Sequence, residues 1–449
     1  MTQTNPKQDL RQWKSIEKIS FRFFFVYFLI LILPLNWIFF QDLGDIVAGS
    51  VHYSDIFHLS RYTTSFFSDI PSFADWGIAA IIGLVVTLVW TLLEKKERDY
   101  NYWHYILRVI LRYRLALAVI AYGFIKLFPL QAPYPSISHL NTTYGAISTW
   151  KLFSLSLGIV PSYESFLGFV ELFAGILLLF KRTTTIGAFI IISFTGNVVF
   201  SNLAYEGGEL VYSLFLVSIA LFLVAYDLPR LYNLLVVERP TIPNYYKPVF
   251  ATAKSRNARF FLKSAFIFSC VFLFGYLTYV GYKNGTGQFP NTPGLVNASG
   301  IYNVKTFSVE GDTLQYSQRH PQRWKDVVFE EWNTLSVRSN IPVKAANSNV
   351  TYIAANEAER NYEFEGIGDR HYYSYEIDND QNKIILQNRN PQHLGDKLYL
   401  HYERPNDKSI ILNGSDHNGR KLYVELEKID KKYLLKEAAE KGRRGKLAL

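Results

Sequence analysis

The sequence has one cysteine, Cys270, and one methionine, the initiator, among its 449 residues. A single cysteine excludes an internal disulfide framework, a cysteine zinc site and a CxxC thiol relay. The nine histidines include no HExxH or HxxxH pair, and the sequence carries no phosphate loop, nucleophile elbow or haem motif. We therefore expect no metal site and none of the common soluble catalytic motifs.

Long apolar runs are absent after residue 282 and frequent before it. Up to residue 282 there are 23 Lys/Arg against 16 Asp/Glu, and after it 24 against 22. The net charge of +9 therefore belongs mostly to the apolar half, where the cations lie in short segments beside apolar runs. This distribution is typical of a membrane protein and does not indicate nucleic-acid binding.

Seven apolar segments approach the roughly 20 residues that a helix needs to cross a bilayer. Backbone amides in lipid must be satisfied within the segment, so these runs predict transmembrane helices. They are residues 21–40, 76–93, 113–130, 164–180, 184–204, 209–226 and 260–282. The first run is too long for a cleavable signal peptide and has no small-residue cleavage site behind it.

The orientation follows from the Lys and Arg residues in the connecting segments. With the N-terminus in the cytoplasm, the inner segments carry 20 Lys/Arg, whereas the outer loops 41–75, 131–163 and 204–208 carry only Arg61 and Lys151. Seven spans then place residues 283–449 outside. A composition rich in Phe, Tyr, Asn, Ile and Lys is typical of an AT-rich bacterial genome, so we expect the inner membrane and a periplasmic C-terminal domain. Residues 100–112 mix aromatic side chains with Arg108 and Arg112, which favours an interfacial helix.

The C-terminal part alternates apolar and polar residues at a period of two, as strands do. The alternating runs are 302–309, 327–329, 383–387, 397–403, 409–412 and 421–428. Such short strands, separated by turn residues, predict a small antiparallel β barrel or sandwich. The stretch GIYNVKTFSVEGD from Gly300, followed by Arg323-Trp324-Lys325, resembles the opening of a lipocalin-type barrel.

These patterns divide the chain into four regions. Residues 1–111 hold an N-terminal arm, two transmembrane helices and the interfacial helix, and residues 112–235 hold a four-helix membrane core. Residues 236–282 form a cytoplasmic linker and the seventh span. Residues 283–449 form the outer β-rich domain with a disordered tail. The fold class is therefore an all-α membrane bundle of about seven helices followed by a β domain.

Ionisable residues inside the predicted spans are candidates for function, because burying a charge in lipid is costly. Lys126 follows Tyr122 by one turn, so the two share a helix face; a lysine that snorkels to the interface is the alternative. Glu171 lies mid-span between Gly168 and Gly175, which predicts close helix packing and a side chain that points into the bundle. A purely structural buried hydrogen bond remains the alternative for Glu171.

The fifth span carries a stripe of polar residues spaced by four, including Ser193 and Asn197, which also fits ordinary helix–helix hydrogen bonding. Asn202 and Glu209 follow at its outer end. Alternating helix directions place these residues and Lys126 in the outer half of the bundle, with Glu171 near the middle. We therefore predict one ligand pocket that opens outwards. Its candidate residues are Tyr122, Lys126, Glu171, Ser193, Asn197, Asn202 and Glu209.

Four stretches of the third to sixth spans share one pattern over about 120 residues: AYGFIKLFPLQ (121–131), FVELFAGILLLFKRTTTIGA (169–188), NVVFSNLAYEGGEL (197–210) and AYDLPRLYNLL (225–235). In their order and spacing they resemble the DoxX family of small four-helix membrane proteins. DoxX relatives are associated with membrane oxidoreductase complexes, including thiosulfate oxidation coupled to quinone. The resemblance implies that Lys126, Glu171 and Asn197 line a pocket for a quinone or a lipid-like ligand. The lack of reactive cysteines argues against thiosulfate as the substrate.

The sequence is compatible with two functions. One is a redox-linked membrane subunit in which the pocket binds quinone and Lys126 and Glu171 carry protons. The other is a non-enzymatic envelope anchor or assembly protein whose outer domain binds a lipid, a glycan or a protein partner. A transporter is disfavoured because the sequence shows no inverted repeat and no pair of Gly/Pro-broken helices. Whether the protein is an enzyme is not determined by its residues.

Overall fold

The computed structural model describes residues 13–49, 51–67, 71–94, 100–241, 246, 252–285, 287–317, 319–433 and 437. The chain divides into two compact units, a helical unit and a barrel unit. The helical unit comprises Met1–Phe128, Phe166–Ala204 and Glu209–Val280, and the barrel unit comprises Pro129–Ser165, Tyr205–Gly208 and Gly281–Leu449. The predicted boundary at residue 283 thus lies close to the observed one. However, two loops that the sequence assigned to the membrane part belong to the barrel unit, and the tail after residue 437 lies outside the described residues.

In chain order, the helices are α1 (Ser15–Ile32), α2 (Trp37–Ala48), α3 (Tyr53–Ser60), α4 (Phe73–Leu93), α5 (Tyr100–Leu127), α6 (Ile137–Leu140), α7 (Thr149–Gly158), α8 (Pro161–Leu178), α9 (Thr184–Ala204), α10 (Leu210–Ala225), α11 (Leu228–Leu235), α12 (Ala253–Ile267) and α13 (Phe274–Lys283). A π-helical segment, Phe268–Leu273, joins α12 to α13 without a break.

The helix ends follow the local sequence. α1 stops at Ile32, before the predicted end at residue 40, because Pro34 disfavours helix at the residue before it. α5 is one unbroken helix from Tyr100 to Leu127, where the sequence predicted an interfacial helix and a separate span. No proline interrupts that stretch, so nothing in it ends the helix at residue 112. α9 has the predicted bounds.

Several helices are long and apolar enough to cross a membrane. Among the described residues there are four, namely α4, α8, α9 and the continuous α12–α13; α10 and α11, bent by 65°, would together make a fifth. Most of the apolar side chains of α4 are exposed, as expected for a helix that faces lipid. The helical unit is therefore that of a multi-pass membrane protein. The predicted number of seven spans is not confirmed, since α1 and α5 form helices but carry several charged residues.

The strands all lie in the C-terminal part of the chain. They are β1 (Gly300–Val309), β2 (Asp312–Thr313), β3 (Asp326–Phe329), β4 (Thr334–Arg338), β5 (Arg370–Asp378), β6 (Lys383–Asn388), β7 (Lys397–Asn406), β8 (Ser409–Asp416) and β9 (Lys421–Lys428). Each strand from β3 to β9 pairs antiparallel with the next, and β1 pairs with both β3 and β9. In the described part of the chain this closes an eight-stranded up-and-down barrel, with β2 as a short addition to β1.

The β-barrel alternative of the predicted fold is thus confirmed. A bulge between Val304 and Thr306 shifts the register of β1 against β9 and bends the strand at the closure. Apolar residues from all eight barrel strands form one buried core, which includes Tyr302, Phe329 and Leu412. An eight-stranded barrel is just narrow enough for side chains to fill. The barrel shares its up-and-down topology with lipocalins, but its interior is packed with side chains.

The loop from Pro129 to Ser165 is an integral part of the barrel unit. Ile147 forms an antiparallel bridge with Ile367, and the backbone amide of Ser148 donates to the carbonyl of Gly366 at 2.8 Å. The shorter loop at residues 205–208 is held in the same way, by a 2.7 Å hydrogen bond from the amide of Gly208 to the carbonyl of Asn349. Sequence-distant loops therefore complete the barrel unit.

Candidate functional site

Two glycines bring α5 and α8 into direct backbone contact. A Cβ atom added at Gly123 would lie 2.7 Å from the backbone nitrogen of Leu172, and one added at Gly168 would overlap the backbone nitrogen of Leu127. Only glycine allows such an approach, which is the usual role of small residues between membrane helices. Lys126 and Glu171 each follow one of these glycines by three residues, so the close crossing places their side chains within reach of each other.

Lys126 and Glu171 form a buried ion pair. The Nζ atom of Lys126 donates to Oε1 of Glu171 at 2.7 Å, and the two side chains are 12% and 7% exposed. Oε2 of Glu171 is buried and has no hydrogen-bond partner among the described residues. The Lys126 ammonium also lies 5.5 Å from the ring centroid of Tyr122 and 5.9 Å from that of Phe194. The pair therefore leaves one carboxylate oxygen open to a further donor in an apolar setting.

A second ion pair, Arg61–Glu209, lies beside the first. The guanidinium of Arg61 donates to Oε1 of Glu209, and the Tyr122 hydroxyl donates to Oε2 at 3.2 Å. The backbone amide of Glu209 donates to the Asn202 side chain at 3.0 Å. Around Arg61, the rings of Phe57, Tyr122 and Tyr212 lie 5.4 to 5.9 Å from the guanidinium carbon. Cation–π contacts of this kind stabilise a cation that has lost water.

Tyr122 joins the two ion pairs into one network. Its ring faces the ammonium of Lys126 and its hydroxyl binds Glu209, so the order of contacts is Glu171, Lys126, Tyr122, Glu209 and Arg61. We call these five residues the bundle network. A tyrosine between two ion pairs can hold the donors and acceptors of both in fixed positions.

Five of the seven candidate residues are brought together. Tyr122, Lys126, Glu171 and Glu209 belong to the bundle network, and Asn202 binds the backbone of Glu209. The other two, Ser193 and Asn197, lie on the exposed face of α9. The buried face of that helix carries Gly187, Ile191, Thr195 and Asn202 instead. Ser193 and Asn197 precede and follow Thr195 by two residues, which is more than half a helical turn.

Arg61 belongs to the site but was not predicted from the sequence. The charge count gave an indication, because Arg61 and Lys151 are the two cations in the predicted outer loops, which are otherwise free of Lys and Arg. Lys151 is buried in the barrel unit with 4% exposure, and Arg61 lies against Glu209 with its side chain 16% exposed. A lone cation in a segment otherwise depleted of cations is thus a useful indicator of a buried partner.

Lys151 belongs to a buried charged cluster within the barrel unit. Its ammonium donates to the carbonyl of Tyr362 and lies 3.4 Å from the centroid of that ring. Burial lowers the pKa of Lys151, while Glu365 and Glu363 act to raise it. Glu363 is fully buried and accepts hydrogen bonds from the Trp332 indole at 2.7 Å and from Arg389. Burial raises the pKa of Glu363, and Arg389 opposes that shift.

His139 packs in the same region as a neutral residue. Its Nδ1 accepts from the backbone amide of Ser136 at 3.2 Å, so Nε2 carries the proton and donates to the carbonyl of Glu363 at 3.0 Å. Burial lowers the pKa of His139 well below its usual value, and the Lys151 charge lowers it further. The histidine therefore stabilises the loop as a hydrogen-bond donor rather than as a metal ligand.

The outer face of the barrel carries a third polar group of residues. Ser138 bonds to Glu330 and to Ser336, and Arg370 donates to Ser336 at 3.0 Å. Arg370 is 1% exposed and forms an ion pair with Asp326. Most of these donors and acceptors bind one another, which is typical of a structural network that fixes a loop to a sheet. The buried Nε of Arg370 has no partner among the described residues. The bundle network remains the better candidate for function, because its ammonium, guanidinium and carboxylates lie inside an apolar helix bundle.

Comparison of the chain with protein-family models, with curated proteins and with solved structures found no match. The described residues contain no group of three His, Cys, Asp or Glu side chains that could hold a metal ion. A function for the bundle network must therefore be inferred from its geometry. Chemically it offers an ammonium, a tyrosine hydroxyl and two carboxylates inside an apolar helix bundle, which are groups that can bind a carbonyl oxygen and transfer protons.

Proposed function

We propose that this protein is a quinone-binding, redox-linked subunit of the bacterial inner membrane. In this proposal seven helices cross the membrane, the N-terminus is cytoplasmic and the barrel unit is periplasmic. The distribution of Lys and Arg supports the orientation, and the four or five long apolar helices support the multi-pass architecture. The resemblance to the DoxX family over residues 112–235 supports a link to membrane oxidoreductases.

The buried Lys126–Glu171 pair carries the proposal. A quinone becomes a quinol by taking up two electrons and two protons, so its site needs a donor at a carbonyl oxygen and groups that replace the protons. The Lys126 ammonium is such a donor, and the open Oε2 of Glu171 can hold a proton beside it. Tyr122 and Glu209 continue the polar contacts from Lys126 to Arg61. The electrons would come from a partner oxidoreductase.

The test is quinone binding by the full chain purified with its native lipids. We expect extractable quinone in the wild type and at least about a tenfold loss of affinity for an added short-chain quinone in Glu171→Gln, which removes one ionisable buried group. Glu206→Gln is the matched control, because Glu206 is exposed and its side chain lies outside the bundle network. A wild type that neither contains nor binds quinone, or a Glu171→Gln variant with unchanged affinity, contradicts the proposal.

A second candidate function is a non-enzymatic envelope anchor or assembly protein. It is favoured by a groove of about 530 Å³ on the barrel unit, lined by four lysines and two acidic residues. The lysines are Lys408, Lys428, Lys431 and Lys432. Because the barrel interior is packed, a lipid, glycan or protein partner would bind at this outer groove rather than inside the barrel.

This candidate is tested by crosslinking the full chain in its own envelope. A fragment of residues 295–440 is unsuitable, because the barrel unit also includes Pro129–Ser165. We expect Lys408→Gln with Lys428→Gln to abolish a crosslinked partner, and the exposed pair Lys397→Gln with Lys421→Gln to retain it. Equal loss in both double variants would show a general charge effect and count against the groove.

A further inference from the structure

A cationic cleft lies at the end of the helical unit opposite to Lys126, between the first half of α5, the start of α9 and the end of α10. Its cavity volume is about 100 Å³. One water needs about 10–15 Å³ by the same measure, so a group of several heavy atoms fits. The charged residues that line the cleft are Arg108, Arg112, Lys181, Arg182, Arg230 and Asp227. The bundle network contributes no residue to it.

The charges of the cleft are strongly unbalanced. Five of its charged residues are cations and one, Asp227, is an anion. Asp227 already accepts a 2.6 Å hydrogen bond from Thr185 and lies 3.7 Å from the guanidinium of Arg108. One carboxylate therefore offsets at most one of five positive charges. Such an arrangement attracts anions and disfavours cations.

Two buried donors of the cleft have no acceptor among the described residues. These are the Nε–H groups of Arg108 and Arg112. The guanidinium of Arg108 is fixed in place, since it lies 3.8 Å from the ring centroid of Tyr226 and donates to the carbonyl of Leu223 at 3.3 Å. A buried donor without an acceptor costs free energy. An oxyanion in the cleft would supply the missing acceptors.

The surroundings of the cleft indicate where the anion comes from. Thr184 and Thr185 form the first turn of α9, and a helix N-terminus adds favourable potential for a phosphate. Next to them, Ile186 is 57% exposed on α9, and Phe180 is 48% exposed just after the end of α8. α8 and α9 are both of membrane-spanning length. These exposed apolar side chains suit contact with the acyl chains of a lipid whose headgroup lies in the cleft.

We propose that this cleft binds a phosphate group, carried by an anionic phospholipid of the surrounding leaflet. Arginine side chains hold phosphate oxygens through paired N–H groups, and Lys181 adds a point charge. The proposed orientation places the cleft at the cytoplasmic leaflet, where basic pockets between membrane helices commonly bind lipid headgroups. This site is separate from the proposed quinone site and does not depend on it.

The test is native mass spectrometry of the delipidated full chain with added phosphatidylglycerol, phosphatidylcholine or inorganic phosphate. We expect tighter binding of phosphatidylglycerol than of phosphatidylcholine, and a loss of at least about tenfold in Arg112→Gln with Arg182→Gln. The matched control is Lys254→Gln with Arg256→Gln, because both residues are exposed cations that do not line the cleft. Arg182 is itself exposed, so Arg182→Gln alone tests the site if the double variant does not fold.

The outcomes separate the sources of the phosphate. Phosphatidylglycerol binding that Arg182→Gln weakens and the control does not supports a lipid headgroup. Binding of inorganic phosphate alone, with the same sensitivity, supports a phosphate site that serves a soluble ligand. Unchanged binding in the cleft variants, or equal weakening in the control, overturns the proposal.

Discussion

Ser138 donates two hydrogen bonds to the same oxygen of Glu330, from its hydroxyl at 2.6 Å and from its backbone amide at 2.7 Å, across 192 residues of chain. The amide of Ile137 donates to the other oxygen at 3.2 Å. These bonds fasten the loop that begins at Pro129 to the outer face of the barrel. Burial nevertheless raises the pKa of Glu330 from 4.5 to about 7, with Ser138 opposing the shift and Glu363 adding to it.

The first prediction concerns the pH dependence of stability. The pKa of Glu330 is raised in the folded state, so its contribution is fully present below about pH 4.5 and is lost as the pH rises through about 7. Glu330→Gln cannot ionise and keeps the shape of the side chain. Between pH 5 and pH 8, we expect the variant to gain up to about 3 kcal/mol of unfolding free energy relative to the wild type.

Urea unfolding of the full chain, followed by tryptophan fluorescence at both pH values, checks this prediction. The control is Glu331→Gln, because Glu331 is the exposed neighbour in sequence. Its difference from the wild type should not change with pH. Parallel pH profiles for the wild type and Glu330→Gln would show that Glu330 is ionised in the folded protein at both values.

The second prediction concerns the Lys126–Glu171 ion pair. Removing one partner of a buried pair leaves an unpaired charge and costs about 3–5 kcal/mol. We expect that loss in Lys126→Met and in Glu171→Leu, whereas the double variant should be destabilised by less than the two single variants together. Cys270 is the sole cysteine and is buried, so a thiol-reactive dye reports thermal unfolding directly. Additive effects of the two substitutions would contradict a direct interaction.

The third prediction concerns the contact between α5 and α8. Gly168→Ala would place a methyl group against the backbone of Leu127, so we expect a loss of about 1–3 kcal/mol and a weakened Lys126–Glu171 pair. Gly196→Ala is the control, because nothing lies within 4 Å of its added Cβ. That helix-interior change should be neutral or stabilise by up to about 1 kcal/mol. The dye assay on both variants decides between these outcomes.

The fourth prediction concerns the membrane topology. In a Cys270→Ser background, we expect a membrane-impermeant maleimide to label Tyr144→Cys and Asn418→Cys in intact spheroplasts. Arg256→Cys should be labelled only after lysis, because the proposed orientation, which rests on the distribution of Lys and Arg, assigns it to the cytoplasm. All three positions are exposed. Labelling of Arg256→Cys in intact spheroplasts would invalidate the proposed orientation.

β4 and β5 are not among the strands predicted from the sequence. β4 and β5 do not alternate in burial, because Thr334, Ser336 and Arg370 on the outer face are as buried as the core residues beside them. The loop residue Ser138 covers that face and bonds to Ser336. A period of two in burial appears only when one face of a strand meets water. The covering loop removes that contrast in burial, whereas Leu335 and Val337 still alternate with polar residues in the sequence of β4.

Only part of the bundle network could be predicted from the sequence. Glu171 and Lys126 could be predicted, since a charge inside an apolar run is visible in one dimension and the flanking glycines indicate a close neighbour. The exposure of Ser193 and Asn197 could not be predicted, because a polar stripe has the same spacing whichever side of the helix packs. Arg61 lies in a loop, where a charge is ordinary unless its partner is known.

The sequence by itself determined the apolar helices, the uneven distribution of Lys and Arg between the segments that connect them, and a β domain after residue 283, because hydrophobicity and charge act locally along the chain. Only the tertiary structure decided that the strands close into a packed barrel, that the loop from Pro129 completes it, and that Arg61 meets Glu209. These relationships join residues far apart in sequence. They depend on which surfaces meet in space, and no local periodicity contains that information.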